Sequence, residues 1–93
     1  MKKFVGTWNP GDKVYNYGDP PEYAYLIVTG KVEFYSSKNI RLGDAGPSEV
    51  FGEISCYLNR SHSVTAKAQT HLVAKKIEKS ELSKILKKTH PVV

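Results

Sequence analysis

Residues 50–63 read VFGEISCYLNRSHS, and this stretch decides the fold of the 93-residue chain. A short apolar strand enters it, Gly52 and Glu53 follow, and one apolar turn of helix leads into a polar loop. Gly52 lets the backbone approach a ligand closely, because glycine carries no Cβ. The next turn presents N–H groups that have no partner within the helix, and such groups bind anions. Taken alone, Gly-Glu would be typical of a tight turn between two strands of a sandwich.

Short predicted strands flank this stretch on both sides. Turn signals rich in Gly, Pro, Asn and Asp separate them at spacings of about eight to twelve residues. The predicted strands are 2–8, 13–17, 23–29, 31–36, 40–42, 50–51, 63–67 and 72–77, with a break at 43–47. This pattern predicts a mainly β fold, an antiparallel β-roll or jelly roll (a double-stranded β-helix). Two short helices complete it, one at about residues 52–58 and one, capped by Ser80, at about residues 80–89.

Length and composition indicate one globular domain over residues 1–93. Cys56 is the only cysteine, so we expect it to pack as a small apolar residue in a reduced, cytoplasmic protein. No apolar run reaches membrane-spanning length, and no membrane insertion is expected. The net charge of +5 lies in the last third, where seven lysines accompany two glutamates. No arginine and no stacking aromatic residue accompanies these lysines. They therefore predict a solvated helix face and no direct nucleic-acid binding.

Catalytic chemistry fits the sequence poorly. A metal-dependent β-barrel enzyme needs clustered His and Glu ligands. The histidines stand at positions 62, 71 and 90 and form no His-x-His pair. Ser63 has no evident His–Asp chain to activate it. We therefore expect no enzymatic activity, no metal and no required cofactor.

Nearly the whole chain, about residues 4–90, resembles the family of cyclic-nucleotide-binding domains. Residues 51–68 resemble the family's phosphate-binding cassette, roughly F-G-E and an apolar turn, a short loop, then R-[ST]-A-[ST]-V-x-A. Residues 9–15 (NPGDKVY) resemble the opening pxGexI, and residues 18–32 (GDPPEYAYLIVTGKV) resemble eGdxgdxxYxIxsGxV. The resemblance implies a regulatory sensor module that binds cAMP, cGMP or a related phosphorylated ligand. It also implies an output domain or protein partner, and it leaves the oligomeric state open.

The resemblance also implies a ligand site of eight residues: Phe51, Gly52, Glu53, Ile54, Arg60, His62, Ser63 and Val64. Phe51 is expected to pack near the ligand, and Gly52 and Ile54 offer backbone groups. Glu53 is expected to accept a hydrogen bond from the ribose 2′-hydroxyl. The early glycines at positions 11, 18 and 30 are interpreted as turn residues that support the fold and say little about the ligand.

The chain departs from the family where phosphate should bind. Aligned without gaps, His62 takes the place of the family's phosphate-binding arginine, followed by Ser63 and by Val64 in place of a small residue. A second frame, with a loop two residues shorter, puts Arg60 there, but loop length favours His62. Histidine offers one donor and no permanent charge, whereas arginine offers a charged fork. Losing one charge-assisted bond of about 1.5–3 kcal/mol should weaken binding roughly ten- to a hundredfold unless His62 is protonated.

An alternative function is a degenerate domain that binds no ligand and serves in protein–protein interaction or assembly. Family members usually carry a helix before the first strand and a long helix that closes over the base, and we expect this chain to lack both. Gly52, Glu53 and Ser63 favour sensing, whereas His62 and Val64 favour assembly. We interpret the chain as a weak or altered sensor.

Overall fold

The computed structural model describes residues 5–82 of the chain. These residues form eight strands, one complete helix (α1) and the start of a second helix (α2), which is described over residues 79–82. In chain order the complete elements are β1 Val5–Trp8, β2 Lys13–Tyr15, β3 Ala24–Thr29, β4 Val32–Tyr35, β5 Arg41–Ala45, β6 Val50–Phe51, α1 Glu53–Leu58, β7 Thr65–Ala68 and β8 Leu72–Ile77.

The strands form two antiparallel sheets of four strands each. One sheet has the order β1-β8-β3-β6 and the other has the order β2-β7-β4-β5. Most neighbours are distant in sequence: β3 lies beside β8, with Ala24 opposite Ile77, and β2 lies beside β7, with Tyr15 opposite Ala66. The predicted fold class, a mainly β antiparallel roll, is therefore confirmed.

The core lies between the two sheets, and its residues alternate along the strands with more exposed ones. In β7, for example, Ala66 and Ala68 are buried, whereas Thr65 and Lys67 are only half-buried. This alternation follows from the two-residue period of a strand. Residues from both sheets form one buried cluster: Tyr15, Tyr25, Ile27, Val32, Ala45, Phe51, Ala66, Ala68, Leu72 and Ala74.

A second, smaller cluster holds α1 against the sheet. Cys56 on α1 packs with Ala24 at the start of β3, with Ile77 at the end of β8 and with Leu82 on α2. Cys56 is almost completely buried, as predicted for a small apolar residue. Burial also raises the pKa of its thiol, so the thiol is protonated at neutral pH. Helix α1 is thus fixed at one end of the roll, where residues 50–63 turn.

Several strand boundaries differ from the predictions. Strand β2, predicted to reach residue 17, ends at Tyr15, because Asn16 already belongs to the turn that the Asp19 carboxylate closes. The fifth strand continues through residues 43–45, where a break was predicted, because Gly43 and Asp44 pair with Phe34 and Glu33 on β4. The cross-strand hydrogen bonds outweigh the low strand propensity of Gly and Asp. The seventh strand is Thr65–Ala68, so residues 63–64 belong to the preceding loop.

The second helix begins earlier than predicted. Its first turn already includes Ser80, and the N–H of Leu82 donates to the carbonyl of Glu78 at 2.8 Å. Glu78, and not Ser80, therefore stands at the N-cap position. The predicted strand residues 2–4 and helix residues 83–89 lie outside the described residues. Between residues 5 and 82, neither helix has the length and apolar character that crossing a bilayer requires.

Substituting Gly30 should test the packing between the β3–β4 turn and β8. Its φ is 93°, and an added Cβ would overlap the carbonyl oxygen of His71 and lie 2.9 Å from Cα of Leu72. Gly11 provides a matched control, because its φ is 91° but an added Cβ would meet nothing within 4 Å. Gly11→Ala should cost about 1–2 kcal/mol of strain. Gly30→Ala should reduce the free energy of unfolding further, by at least about 1 kcal/mol, because β8 must shift.

Urea denaturation of the two variants beside the wild type measures both losses. Equal losses would show that the close approach of Gly30 to β8 contributes nothing to stability.

Candidate ligand pocket

The 50–63 stretch makes a sharp turn from β6 into α1. Gly52 occupies the N-cap position of α1 with φ 73° and ψ 4°, a left-handed conformation that glycine adopts without a Cβ clash. The helix ends after six residues at Asn59, which is also left-handed, with φ 55°. The N–H of Arg60 then donates to the carbonyl of Ser55 at 3.0 Å, which directs the chain away from the helix axis. This geometry leaves a concave surface beside Gly52.

A cavity of about 430 Å³ opens at this concave surface. It lies between the 50–55 turn, β5, the end of β2 and the loop that precedes β7. Seven of the eight residues assigned to the site line this cavity: Phe51, Gly52, Glu53, Ile54, His62, Ser63 and Val64. Arg60, the eighth, is exposed and does not belong to the lining formed by residues 5–82.

Phe51 anchors the pocket in the core. Its ring stacks on Tyr25 of the same sheet, with centroids 5.1 Å apart, and meets Phe34 of the facing sheet edge-on at 5.6 Å. Aromatic pairs of this kind add about 0.5–1.5 kcal/mol beyond their buried area. Because Phe51 precedes Gly52 directly, these contacts also fix the position of the turn.

His62 stacks on Tyr15 beneath the turn. The two rings are nearly parallel, with an interplanar angle of 8° and centroids 3.5 Å apart, and His62 is only 3% exposed. Gly52 lies directly against this pair: an added Cβ would stand 3.3 Å from Cε2 of Tyr15 and 3.4 Å from Cε1 of His62. The φ of Gly52 therefore favours glycine, and an added Cβ would also press tightly against the Tyr15 ring.

The early Gly18-Asp19 turn holds His62 in place through the backbone. The N–H of His62 donates to the carbonyl of Asp19 at 2.9 Å, and the carbonyl of His62 accepts from the N–H of Gly18 at 2.8 Å. The turn is closed in its own right, because the carboxylate of Asp19 accepts from the N–H of Asn16 at 2.8 Å. The interpretation of Gly18 as a turn residue without bearing on the ligand was too narrow, since this turn positions a pocket residue.

Burial keeps both stacked rings uncharged. It lowers the pKa of His62, an effect that the nearby carboxylate of Asp19 opposes more weakly. Burial also raises the pKa of Tyr15, and the neighbouring Tyr25 and Glu53 add to that rise. At neutral pH the pocket floor is therefore a neutral imidazole on a neutral phenol.

The sequence did not predict several of the residues that line the cavity. Tyr15 ends the NPGDKVY segment and was interpreted only as a strand residue, although alternation along β2 pointed its ring inward. The pocket wall formed by β5 was also missed, because residues 43–45 were predicted to break the strand. The residues missed are Tyr15, Phe34, Leu42, Gly43, Asp44, Ala45, Glu49, Val50 and Ser55.

The described part of the chain offers no group of three His, Cys, Asp or Glu residues arranged to hold a metal ion. The arrangement of the pocket is instead that of a small-molecule site: an apolar floor, exposed backbone at a helix start and a few polar groups.

Comparison with known proteins identifies the class to which this arrangement belongs. The pattern that defines the cyclic nucleotide-binding domain matches residues 6–89. The chain is therefore a member of the cyclic nucleotide-binding domain family, as its sequence motifs indicated.

Curated relatives include cAMP-dependent protein kinase regulatory subunits from two organisms. The chain is 29% identical to the subunit of Yarrowia lipolytica (strain CLIB 122 / E 150) over 76 residues, which are 82% of this chain and 20% of that protein. It is also 29% identical over 76 residues to the subunit of Eremothecium gossypii (strain ATCC 10895 / CBS 109.51 / FGSC 9923 / NRRL Y-1056), 16% of that protein. The chain thus spans a fifth or less of these relatives.

Solved structures share the fold. The cAMP-bound structure PfPKA-R (141-441) aligns with a TM-score of 0.82 and 27% identity, over 92% of this chain and 32% of that one. The cGMP-bound form of the EAL enzyme Bd1971 aligns with a TM-score of 0.82 and 24% identity, over 88% of this chain and 23% of that one. At 24% identity, the similarity to the EAL enzyme Bd1971 shows a shared fold only.

The neutral His62 should make the protein less stable in mild acid. The folded-state pKa of His62 lies below its ordinary value of 6.5, so the unfolded chain binds the proton more tightly than the folded chain. Stability from this residue is therefore complete above pH 6.5 and is lost as the pH falls below it. His62→Phe keeps an aromatic ring on Tyr15 and should remove this part of the pH dependence, whereas substitution of the exposed His71 by Gln should leave it.

Urea denaturation of the three proteins at pH 7.5, 6.5 and 5.5 measures how the free energy of unfolding of each depends on pH. If the free energy of unfolding changed with pH equally in the wild type and in His62→Phe, the buried neutral imidazole would be contradicted.

Proposed function

We propose that this domain is a regulatory sensor module whose pocket binds a cyclic nucleotide, cAMP or cGMP, or a closely related ligand. The observation that carries the proposal is that one cavity gathers seven of the eight residues expected in the phosphate-binding cassette. The membership of residues 6–89 in the family supports it as well. The relatives named above are cAMP-dependent regulatory subunits, and one aligned structure is cAMP-bound.

Glu53 is the ribose-binding residue in this proposal. It begins α1, is half-buried and lines the cavity. An ionised carboxylate only accepts hydrogen bonds, so it favours a ligand that presents hydroxyl donors, as a ribose does. Its place in the first helical turn favours the negative charge, since the N-terminal end of a helix carries partial positive charge.

Phosphate binding falls to the backbone of the turn and to the loop before β7. The N–H groups of the first turn of α1 have no acceptor within the helix. Gly52 lets a ligand oxygen come close to them, and the hydroxyl of Ser63 adds a donor on the opposite wall. His62 lies beneath with one ring and no permanent charge, so we expect weaker anion binding than an arginine would give.

We infer that the domain acts as a binding module and transmits ligand occupancy to an output domain or protein partner. The curated relatives are regulatory subunits, and this chain corresponds to a fifth or less of them. We treat residues 1–93 as one such domain, without catalytic activity and without a required cofactor. The buried free thiol of Cys56 fits a reducing, cytoplasmic setting.

Assembly without ligand is the second candidate function. The observation that favours it is the outer face of α1, where Ile54 is 66% exposed, Tyr57 is 48% exposed and Leu58 is 50% exposed. A cluster of apolar side chains on one short helix is suited to contact with another protein. The two functions differ in what they require of Glu53, which sensing uses directly.

Removing the Glu53 carboxylate should distinguish sensing from assembly. If Glu53 accepts from ribose, Glu53→Ala should weaken cAMP or cGMP binding by about 1.5–3 kcal/mol, the range for a hydrogen bond to a charged group. Glu53→Gln should lose part of this, because its amide oxygen still accepts. Calorimetric titration of the three proteins measures the affinities, and thermal unfolding checks that the variants remain folded. Absence of binding by the wild type at millimolar concentrations of the cyclic nucleotide and of closely related ligands would decide for assembly.

A further inference from the structure

The pocket carries carboxylates and, within residues 5–82, no lysine or arginine. Its charged lining residues are Asp44, Glu49 and Glu53. Asp44 is neutralised from outside, because its carboxylate accepts from the guanidinium of Arg41 at 2.8 Å. The carboxylate of Glu49 also stabilises the turn before β6, because it accepts from the N–H of Gly46 at 2.9 Å. The lining is therefore rich in hydrogen-bond acceptors and poor in positive charge.

His62 does not add a positive charge to the lining at neutral pH. Its ring lies face to face with Tyr15, so one face is covered, and Gly52 covers part of its edge. The ionisable groups around it are Tyr15 on β2, Asp19 in the preceding turn and Glu53 on α1. Burial of the ring favours its neutral form at neutral pH, and the carboxylate of Asp19 opposes this effect more weakly.

Neither arginine of the chain belongs to the lining that residues 5–82 form. Arg41 contacts two carboxylates, Asp44 at 2.8 Å and Glu33 at 4.0 Å, on the outer side of β4 and β5. Arg60 is exposed in the loop after α1. A phosphodiester bound in the cavity would keep its negative charge close to Glu49 and Glu53 without a lining cation, and transfer of an unpaired charge from water is unfavourable.

We propose that this pocket binds an uncharged ribonucleoside more tightly than the cyclic nucleotide of the same base. The inference rests on the proposed function, because it uses the same cavity and the same ribose contact with Glu53. It changes the chemical class of the preferred ligand from an anion to a neutral molecule.

The hydrogen-bonding capacity of the two ligands supports this preference. In a cyclic nucleotide the phosphate blocks the 3′- and 5′-oxygens, so the ribose keeps one hydroxyl donor. In the nucleoside the same two oxygens are free hydroxyls, which gives three donors and no charge. Glu53 and Glu49 are acceptors, and a carboxylate binds hydroxyl donors favourably and repels phosphate oxygens. The nucleoside therefore offers more hydroxyl donors to these carboxylates and carries no charge for them to repel.

Paired titrations test the proposal: adenosine beside cAMP, and guanosine beside cGMP, each by calorimetry with the whole chain at pH 8. We expect the nucleoside of at least one pair to bind about tenfold more tightly or better than its cyclic partner, the equivalent of one lost charged hydrogen bond. At pH 5.5 the gap should narrow, because a protonated His62 attracts phosphate and gives the nucleoside nothing.

Two variants move the preference in a defined direction. His62→Arg supplies a permanent charge on a side chain that also stacks on aromatic rings, so it should tighten cAMP at pH 8 and leave adenosine nearly unchanged. Glu49→Gln keeps an acceptor for Gly46 but removes a charge, and it should tighten cAMP by about two- to tenfold. Glu22→Gln is the matched control, because Glu22 is exposed and outside the lining, and it should change neither affinity.

The outcomes of these titrations distinguish the ligand preference from the proposed sensing function. Equal or tighter binding of the cyclic nucleotide in both pairs at pH 8 would overturn the preference and leave the proposed sensing function intact. Loss of that binding in Arg60→Ala or Arg41→Gln would then identify the cation that meets the phosphate. If neither member of either pair binds at millimolar concentration, both the preference and the proposed function are wrong.

Discussion

The stack of His62 on Tyr15 is the contact on which the site depends. It joins β2 to the loop before β7, and it forms the surface against which Gly52 turns. Above it, Phe51 is fixed by rings from both sheets, so the turn is held from below and from the core side. The backbone bonds from Gly18 and Asp19 to His62 complete the support. A short helix can therefore begin at a defined place without a side-chain cap, which Gly52 does not provide.

The same stack alters the chemistry of the site. Burial against Tyr15 favours the neutral imidazole, whereas an anion at this site would bind more tightly to the charged form. Packing and anion binding thus make opposite demands on His62. Arginine meets both demands, because guanidinium stacks on aromatic rings and stays charged. His62 therefore affects which ligand charge the pocket prefers and leaves the fold unchanged.

Strand spacing predicted the fold class, and the resemblance of residues 51–68 to the family's cassette implied seven residues that line the cavity. The sequence did not predict that Asp44 and Gly43 continue β5, since the cross-strand partners Phe34 and Glu33 decide that. Nor did it reveal the role of Tyr15, which depends on residues 47 positions apart coming into contact. Arg60 and His62 were both plausible as phosphate partners from spacing alone. Their difference in exposure appears only after the helix end at Asn59 is placed.

The ionisation of His62 in the folded protein is the most direct test of this account. Nuclear magnetic resonance of the labelled imidazole, followed from pH 8 to pH 4.5, reports the pKa of His62 and, through ring-current shifts, its contact with Tyr15. The account predicts a pKa below the ordinary value of 6.5 and carbon-bound ring protons shifted by the tyrosine beneath. A pKa at or above 6.5, with unshifted ring protons, would contradict the buried neutral stack and the conclusions about ligand charge drawn from it.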